Sequence, residues 1–238
     1  MESTTTECPF CGEELVPRYV VLGSRSVRIG HVPCGCTGAV AEARMRVERE
    51  DAARRLREKE ARAACYERAG IPPRFLEAET DREDLVSLVM AGEGLYIQGP
   101  FGCGKTHLAA ALAKRALAAG RSARVTSSMR ILGQIRGTYG GDADEASVFR
   151  SLANPWLLVI DDLGKDAPTE WAVSMLYRAV NERYEQMRPT IVTSNYSKRE
   201  LVERLTVKGD SSTAEALVSR LFEMTRKVEL SGEDRRLG

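Results

Sequence analysis

The sequence predicts an α/β protein built on a parallel sheet, with a small cysteine-bearing segment and a charged helix ahead of it. Three observations carry this expectation. Continuous apolar runs of four or five residues recur between helical stretches from about residue 70 onward, as in strands covered on both faces. The stretch Gly99-Pro-Phe-Gly-Cys-Gly-Lys105-Thr106 follows one such run and opens a strong helix former, and it fits G-x-x-x-x-G-K-[ST]. Four of the six cysteines crowd between Cys8 and Cys36.

Bulk properties set the limits. A chain of 238 residues with 43% hydrophobic content holds one ordinary domain plus a small attachment. Its 35 basic and 34 acidic residues nearly cancel, so affinity for nucleic acid has to come from a local patch. MESTTTECPF lacks the basic-then-apolar pattern of a secretory signal, and no apolar run approaches the ~18 residues of a membrane span. A cytoplasmic protein without membrane partners is expected.

Residues 1–40, rich in glycine, cysteine and proline with runs such as YVVL, read as a small ribbon of turns and strands. CPFCG places Cys8 and Cys11 in the C-x-x-C form of a zinc knuckle, and PCGC adds Cys34 and Cys36. Together they would make a structural Cys₄ zinc site in a region too small to bury its own core. The tight C-x-C spacing leaves His31 open as a replacement ligand, and free or disulfide-linked cysteines are the plain alternative. Residues 41–69 contain arginine and glutamate in quantity, with apolar positions that hold no strict heptad, and read as one exposed helical linker, with a coiled coil as the alternative. GIPP at 70–73 ends it, because proline cannot continue the hydrogen-bond ladder.

From residue 70 to 238 strands are expected at 95–98, 123–127, 156–160 and 190–194, with KVEL at 227–230 a weaker fifth. In the glycine-rich loop, backbone N–H groups can curl around phosphate oxygens while the helix N-terminus adds partial positive charge. Lys105 would reach the β- and γ-phosphates, and the Thr106 hydroxyl would ligate Mg²⁺. The nucleotide-binding span is taken as Gly99, Pro100, Phe101, Gly102, Cys103, Gly104, Lys105, Thr106 and His107. Cys103 reads as filler more readily than as a redox group, and His107 as decoration of the next helix. LLVIDDLG ends an apolar strand in two carboxylates: Asp161 to hold Mg²⁺, Asp162 to orient or deprotonate water. Aspartates are also common at strand-to-turn junctions. In PTIVTSNYSKREL another strand ends at Asn195, whose amide could meet the γ-phosphate or the lytic water, and Ser197 with Glu200 forms a capping box.

Taken together, these three elements resemble the Walker A, Walker B and sensor 1 motifs of an AAA+ ATPase. GIPPRF, IDDLG, TSNYS and AEALVSRLFEM are similar to the DnaC/IstB-like branch, which includes bacterial and phage replicative helicase loaders. The resemblance covers residues 70 to about 236. It implies a P-loop core with a five-stranded parallel sheet in the order 5-1-4-3-2, and Mg²⁺-dependent ATP hydrolysis. It also places Arg220 of SRL where the family keeps an arginine finger that acts between subunits of a homo-oligomer, although a surface helix arginine reads the same way. Ile71, Pro72 and Phe75 lie where the entry segment meets adenine, but core packing explains them too. Only SGEDRRLG follows the fifth strand, too short for a helical lid, and Arg235 and Arg236 are weak candidates for sensor 2.

The resemblance further implies an ATP-driven switch that loads a replicative hexameric helicase onto single-stranded DNA during replication initiation. In such loaders the amino-terminal domain grips the helicase, while Arg18, Arg25 and Arg28 leave room for a nucleic-acid contact instead. For single-stranded DNA the candidates are Arg130, Arg136 and Tyr139, by phosphate contact and base stacking, against a reading as ordinary surface residues. A transposition helper of the IstB type, and an adaptor that binds nucleotide without hydrolysing it, are the alternatives.

Overall fold

A computed structural model describes residues 7–23, 25–139, 144–165 and 169–232. The chain divides into two compact units, Met1–Arg62 and Ala63–Gly238.

In the first unit, β1 (Pro17–Leu22) and β2 (Arg25–His31) pair as an antiparallel hairpin with an irregularity between Arg18 and Tyr19. Among the described residues neither face is covered: Tyr19, Val21, Leu22 and Ile29 are all more than half exposed. The long helix α1 (Thr37–Arg68) starts ahead of the expected residue 41. Its first turn is satisfied by the preceding cysteine, because Ala39 N–H donates to Cys36 Sγ at 3.4 Å and Val40 N–H to Cys36 O. Gly38 is required there, since a Cβ would lie 2.7 Å from Phe10 Cβ. Beyond that turn the helix carries exposed i,i+4 pairs such as Arg44–Glu48 and Arg54–Glu58, each worth only a few tenths of a kcal/mol.

The second unit holds a single sheet. Its strands are β3 (Gly94–Gln98), β4 (Ala123–Ser127), β5 (Leu157–Asp161), β6 (Thr190–Ser194) and β7 (Thr225–Glu229). They lie in the order β4-β5-β6-β3-β7 and every pairing is parallel. This is the expected 5-1-4-3-2 arrangement. Helices α2 (Glu83–Met90), α3 (Lys105–Ala118), α4 (Ser128–Arg136), α5 (Glu145–Ala153), α6 (Glu170–Glu185), α7 (Lys198–Leu205) and α8 (Ser212–Glu223) cover the two faces. Alternation along the strands splits the apolar residues between two cores. Leu157 and Val159 join Ile97, Ile191 and the alanine-rich face of α3, whereas Leu158 and Ile160 join Tyr96, Val192 and the later helices. β7 read weakly in the sequence because it is an edge strand with only Val228 buried.

On the other edge, Val125 N–H of β4 donates to Ala69 O at 2.6 Å. Gly70 makes that approach possible: its φ is +81°, and a Cβ would lie 2.3 Å from Val125 O. Ile71 is a core residue at 3% exposure, as its packing reading expects.

Candidate functional site

The carboxyl ends of β3, β5 and β6 are neighbours in the sheet, and this juxtaposition brings distant segments to one rim. The loop after β3 depends on glycines. Gly102 and Gly104 have φ of +74° and +95°, and a Cβ on Gly99 would meet Leu230 O at 2.4 Å and Cys103 Sγ at 2.8 Å. Cys103 is buried inside the loop, which supports its reading as packing. Gly104 is the N-cap of α3 and supplies no side-chain cap, and the first turn carries no acid. The orphan N–H groups of that turn therefore suit an anion.

Lys105 is almost fully buried, and its Nζ donates to Gly99 O at 2.9 Å and Pro100 O at 2.7 Å. Thr106 Oγ1 donates to Asp161 Oδ1 at 2.9 Å and lies 3.2 Å from Oδ2. Thus the hydroxyl and the carboxylate proposed for Mg²⁺ meet across 55 residues of chain. A hydroxyl and a carboxylate are hard oxygen donors, the ligand chemistry that Mg²⁺ takes.

Thr193 on β6 organises the two aspartates. Its Oγ1 donates to Asp161 Oδ1 at 2.6 Å and accepts from Asp162 N–H at 2.9 Å. Asp162 has φ of +55°, and its carboxylate lies 3.5 Å from Lys165 Nζ. Burial pushes the Asp161 carboxyl above the ordinary range, the hydrogen bond from Thr193 opposes this, and the charge of Asp162 adds to the rise.

A cavity of about 200 Å³ is lined by Phe101, Gly102, Gly104, Lys105, Thr106, His107, Asp162, Lys165 and Asn195, with Arg74 and Phe75 at its side. Asn195 Oδ1 is buried with no hydrogen-bond partner among the described residues, which leaves its amide for a ligand. His107 is exposed and meets Phe75 edge to face at 6.4 Å. Ser197 and Glu200 form the expected capping box on α7.

Arg220 is not at this rim. It sits in the last turn of α8, which runs into the start of β7, whereas the glycine-rich loop follows the end of β3. Its guanidinium packs over the rings of Tyr177 and Tyr184 of α6.

Arg136 lies 4.8 Å from the ring of Trp171, whose Nε1 donates to Tyr139 Oη at 3.1 Å. Tyr139 is exposed, and Arg130 is exposed without joining the cluster. Arg235 and Arg236 fall outside the described residues.

In the first unit the thiol sulfurs of Cys8, Cys11, Cys34 and Cys36 all lie within 4.8 Å of one another. Cys8 Sγ is 3.8 Å from Cys36 Sγ, and Cys11 Sγ 3.4 Å from Cys34 Sγ. A tetrahedral ion with Zn–S bonds of about 2.3 Å needs S···S edges of about 3.8 Å, so the group fits zinc. The N–H groups of Cys36 and Ala39 donate to Cys34 Sγ and Cys36 Sγ, as suits thiolates. His31 is hydrogen-bonded to Arg28 and does not belong to the cluster.

Thr193, Ser194, Lys165 and Trp171 escaped the sequence reading. The available signal was a polar pair, Thr193 and Ser194, at the end of an otherwise apolar strand; both are fully buried. Among the described residues, no helix is long and apolar enough to cross a membrane.

Residues 68–238 match the family described as IstB-like ATP binding protein. The chain is 28% identical over 150 residues to the replicative helicase loader DnaI of Bacillus subtilis, covering 61% of this chain and 48% of that protein. It is 31% identical over 152 residues to an insertion-sequence ATP-binding protein of Geobacillus stearothermophilus, covering 64% and 59%. The chain thus spans about half the length of the curated relatives it matches. The crystal structure of the DnaC helicase loader aligns with a TM-score of 0.56 at 24% identity, covering 67% of this chain and all of that one. At that identity the likeness bears on the fold.

Proposed function

The chain belongs to the IstB-like ATP-binding family, and from that premise we propose that it is an ATP-hydrolysing switch that loads a replicative helicase onto single-stranded DNA. The supporting observation is the convergence of Lys105, Thr106, Asp161, Asp162 and Asn195 from three strand ends. In this reading a triphosphate takes the uncapped N–H groups of α3, and Lys105 exchanges the carbonyls of Gly99 and Pro100 for β- and γ-phosphate oxygens. Thr106 and Asp161 would hold Mg²⁺, which supplies charge neutralisation on those oxygens. Asp162 orients or deprotonates the attacking water, and Asn195 bonds that water or the γ-phosphate. Arg220, remote from its own loop, serves the site of another subunit.

The zinc ribbon of residues 1–40 and its linker favour the loader over a transposition helper. The hairpin exposes Tyr19, Val21, Leu22 and Ile29 beside Arg18, Arg25 and Arg28, a surface suited to gripping a protein such as the helicase. Arg136, Tyr139 and Trp171 provide cation and stacking surface for single-stranded DNA.

Affinity capture from the native host tests the assignment. Recovery of a hexameric replicative helicase is expected, and recovery of a transposase in its place overturns it. Lys105→Ala should abolish ATP turnover; a chain that binds ATP and DNA without any turnover would be the non-hydrolysing adaptor.

A further inference from the structure

Arg220 is held in an unusual way for a surface cation. Among the described residues it has no ion pair, and its one hydrogen bond is a 3.5 Å contact from Nη1 to Ala216 O of its own helix. Nε is buried without a partner. What holds the guanidinium is aromatic: its carbon lies 4.9 Å from the Tyr177 ring centre and 5.6 Å from that of Tyr184. Tyr177 and Tyr184 are seven residues apart on α6 and so share one stripe of the helix. Ring faces attract the cation while leaving the N–H fork unspent.

The natural rival for that fork is Glu223, three residues on in α8 and so on the same helix face. Yet Glu223 Oε1 accepts a hydrogen bond from Tyr184 Oη at 2.8 Å. One side chain therefore meets both charged groups: its ring lies beside the guanidinium, and its hydroxyl is bonded to the acid. Tyr184 and Glu223 also line an open cleft of about 650 Å³ at the strand-start end of the sheet, so this end is open to an approaching molecule.

We propose that Tyr184 is a positioning residue for Arg220, keeping Glu223 off the guanidinium so that the arginine stays free for the γ-phosphate of a neighbouring subunit. This rests on the reading of Arg220 as a finger supplied between copies of the chain. Hydroxyl removal in Tyr184→Phe keeps the ring but releases Glu223 to pair with Arg220.

The test is steady-state ATP turnover by the full chain at concentrations that saturate assembly. Tyr184→Phe should lower kcat about fivefold, the shift expected from an ion pair of ordinary strength, with KM for ATP unchanged. Tyr184→Phe/Glu223→Gln should recover, because the competing charge is gone. Mixing Tyr184→Phe with Lys105→Ala subunits should also restore turnover, since the latter lend intact fingers to intact loops. Wild-type kcat in Tyr184→Phe, or a double variant as slow as the single, overturns the proposal. If Arg220→Ala itself turns over ATP normally, the finger reading falls, and that result is separate from the two above.

Discussion

Replacing Thr193 with valine should damage the nucleotide site while leaving its shape intact. The side chain is fully buried, and valine matches its volume but deletes the hydroxyl. Two hydrogen bonds go with it: the 2.6 Å bond donated to Asp161 and the 2.9 Å bond accepted from Asp162 N–H. A bond to a charged carboxylate is worth about 1.5–3 kcal/mol, and the half-buried amide adds a smaller loss, partly offset by burying an extra methyl group. The net should be about 2–3 kcal/mol, or roughly 4–12 °C in Tm for a unit of this size. A second effect is on protonation. The bond from Thr193 is the largest influence holding the Asp161 carboxyl down against burial, so its loss moves that group further up. The acid limb of the turnover profile should therefore move to higher pH, with turnover at neutral pH down about tenfold, equivalent to roughly 1.4 kcal/mol of barrier. Thermal unfolding and ATP turnover across pH 5–9 read both effects, and Thr193→Ser, which keeps the hydroxyl, should resemble wild type. A valine variant that melts with the wild type and keeps its pH profile would refute the role assigned to Thr193.

Three other changes test separate parts of the molecule. Asp161→Asn should abolish hydrolysis yet melt higher than wild type at neutral pH. Because the folded-state value of Asp161 is raised, its favourable contribution exists when protonated and is lost as pH rises through that value; the asparagine advantage should shrink as pH falls, and a variant less stable than wild type at pH 7.5 contradicts this. Arg183→Met should cost about 3 kcal/mol by denaturant unfolding, because the fully buried guanidinium donates to Thr190 Oγ1 and to the carbonyls of Leu152, Ala153, Pro155, Trp156 and Pro189. Removing the cation's burial, which lowers its pKa to about 9, offsets part of that loss, and an unchanged midpoint would show the offset to be complete. Metal analysis of the purified chain should find about one zinc ion per molecule, lost in Cys34→Ser; a metal-free wild type prepared without chelator rejects the zinc site.

Much of this architecture is local in origin and so could be read from the chain. Glycines at 99, 102 and 104 mark a loop that must bend where other residues cannot, and apolar runs at 157–160 and 190–192 announce strands buried on both faces. C-x-x-C and C-x-C pairs advertise a metal site because ligand spacing is itself a local constraint. β7 was harder, since an edge strand with one buried residue has little pattern to display. The start of α1 was missed because a thiol rather than an ordinary N-cap side chain satisfies its first turn.

Sequence by itself determined the strand runs of the α/β core, the phosphate loop, the paired aspartates and the two cysteine pairs, because each is encoded in neighbouring residues. Tertiary structure alone decided that Thr193 bridges Asp161 and Asp162, that His31 stays apart from the cysteines, and that Tyr184 rather than Arg220 holds Glu223. Those contacts join segments far apart in the chain, and which side chains meet is settled by strand order and helix packing, quantities that no local pattern of residues contains.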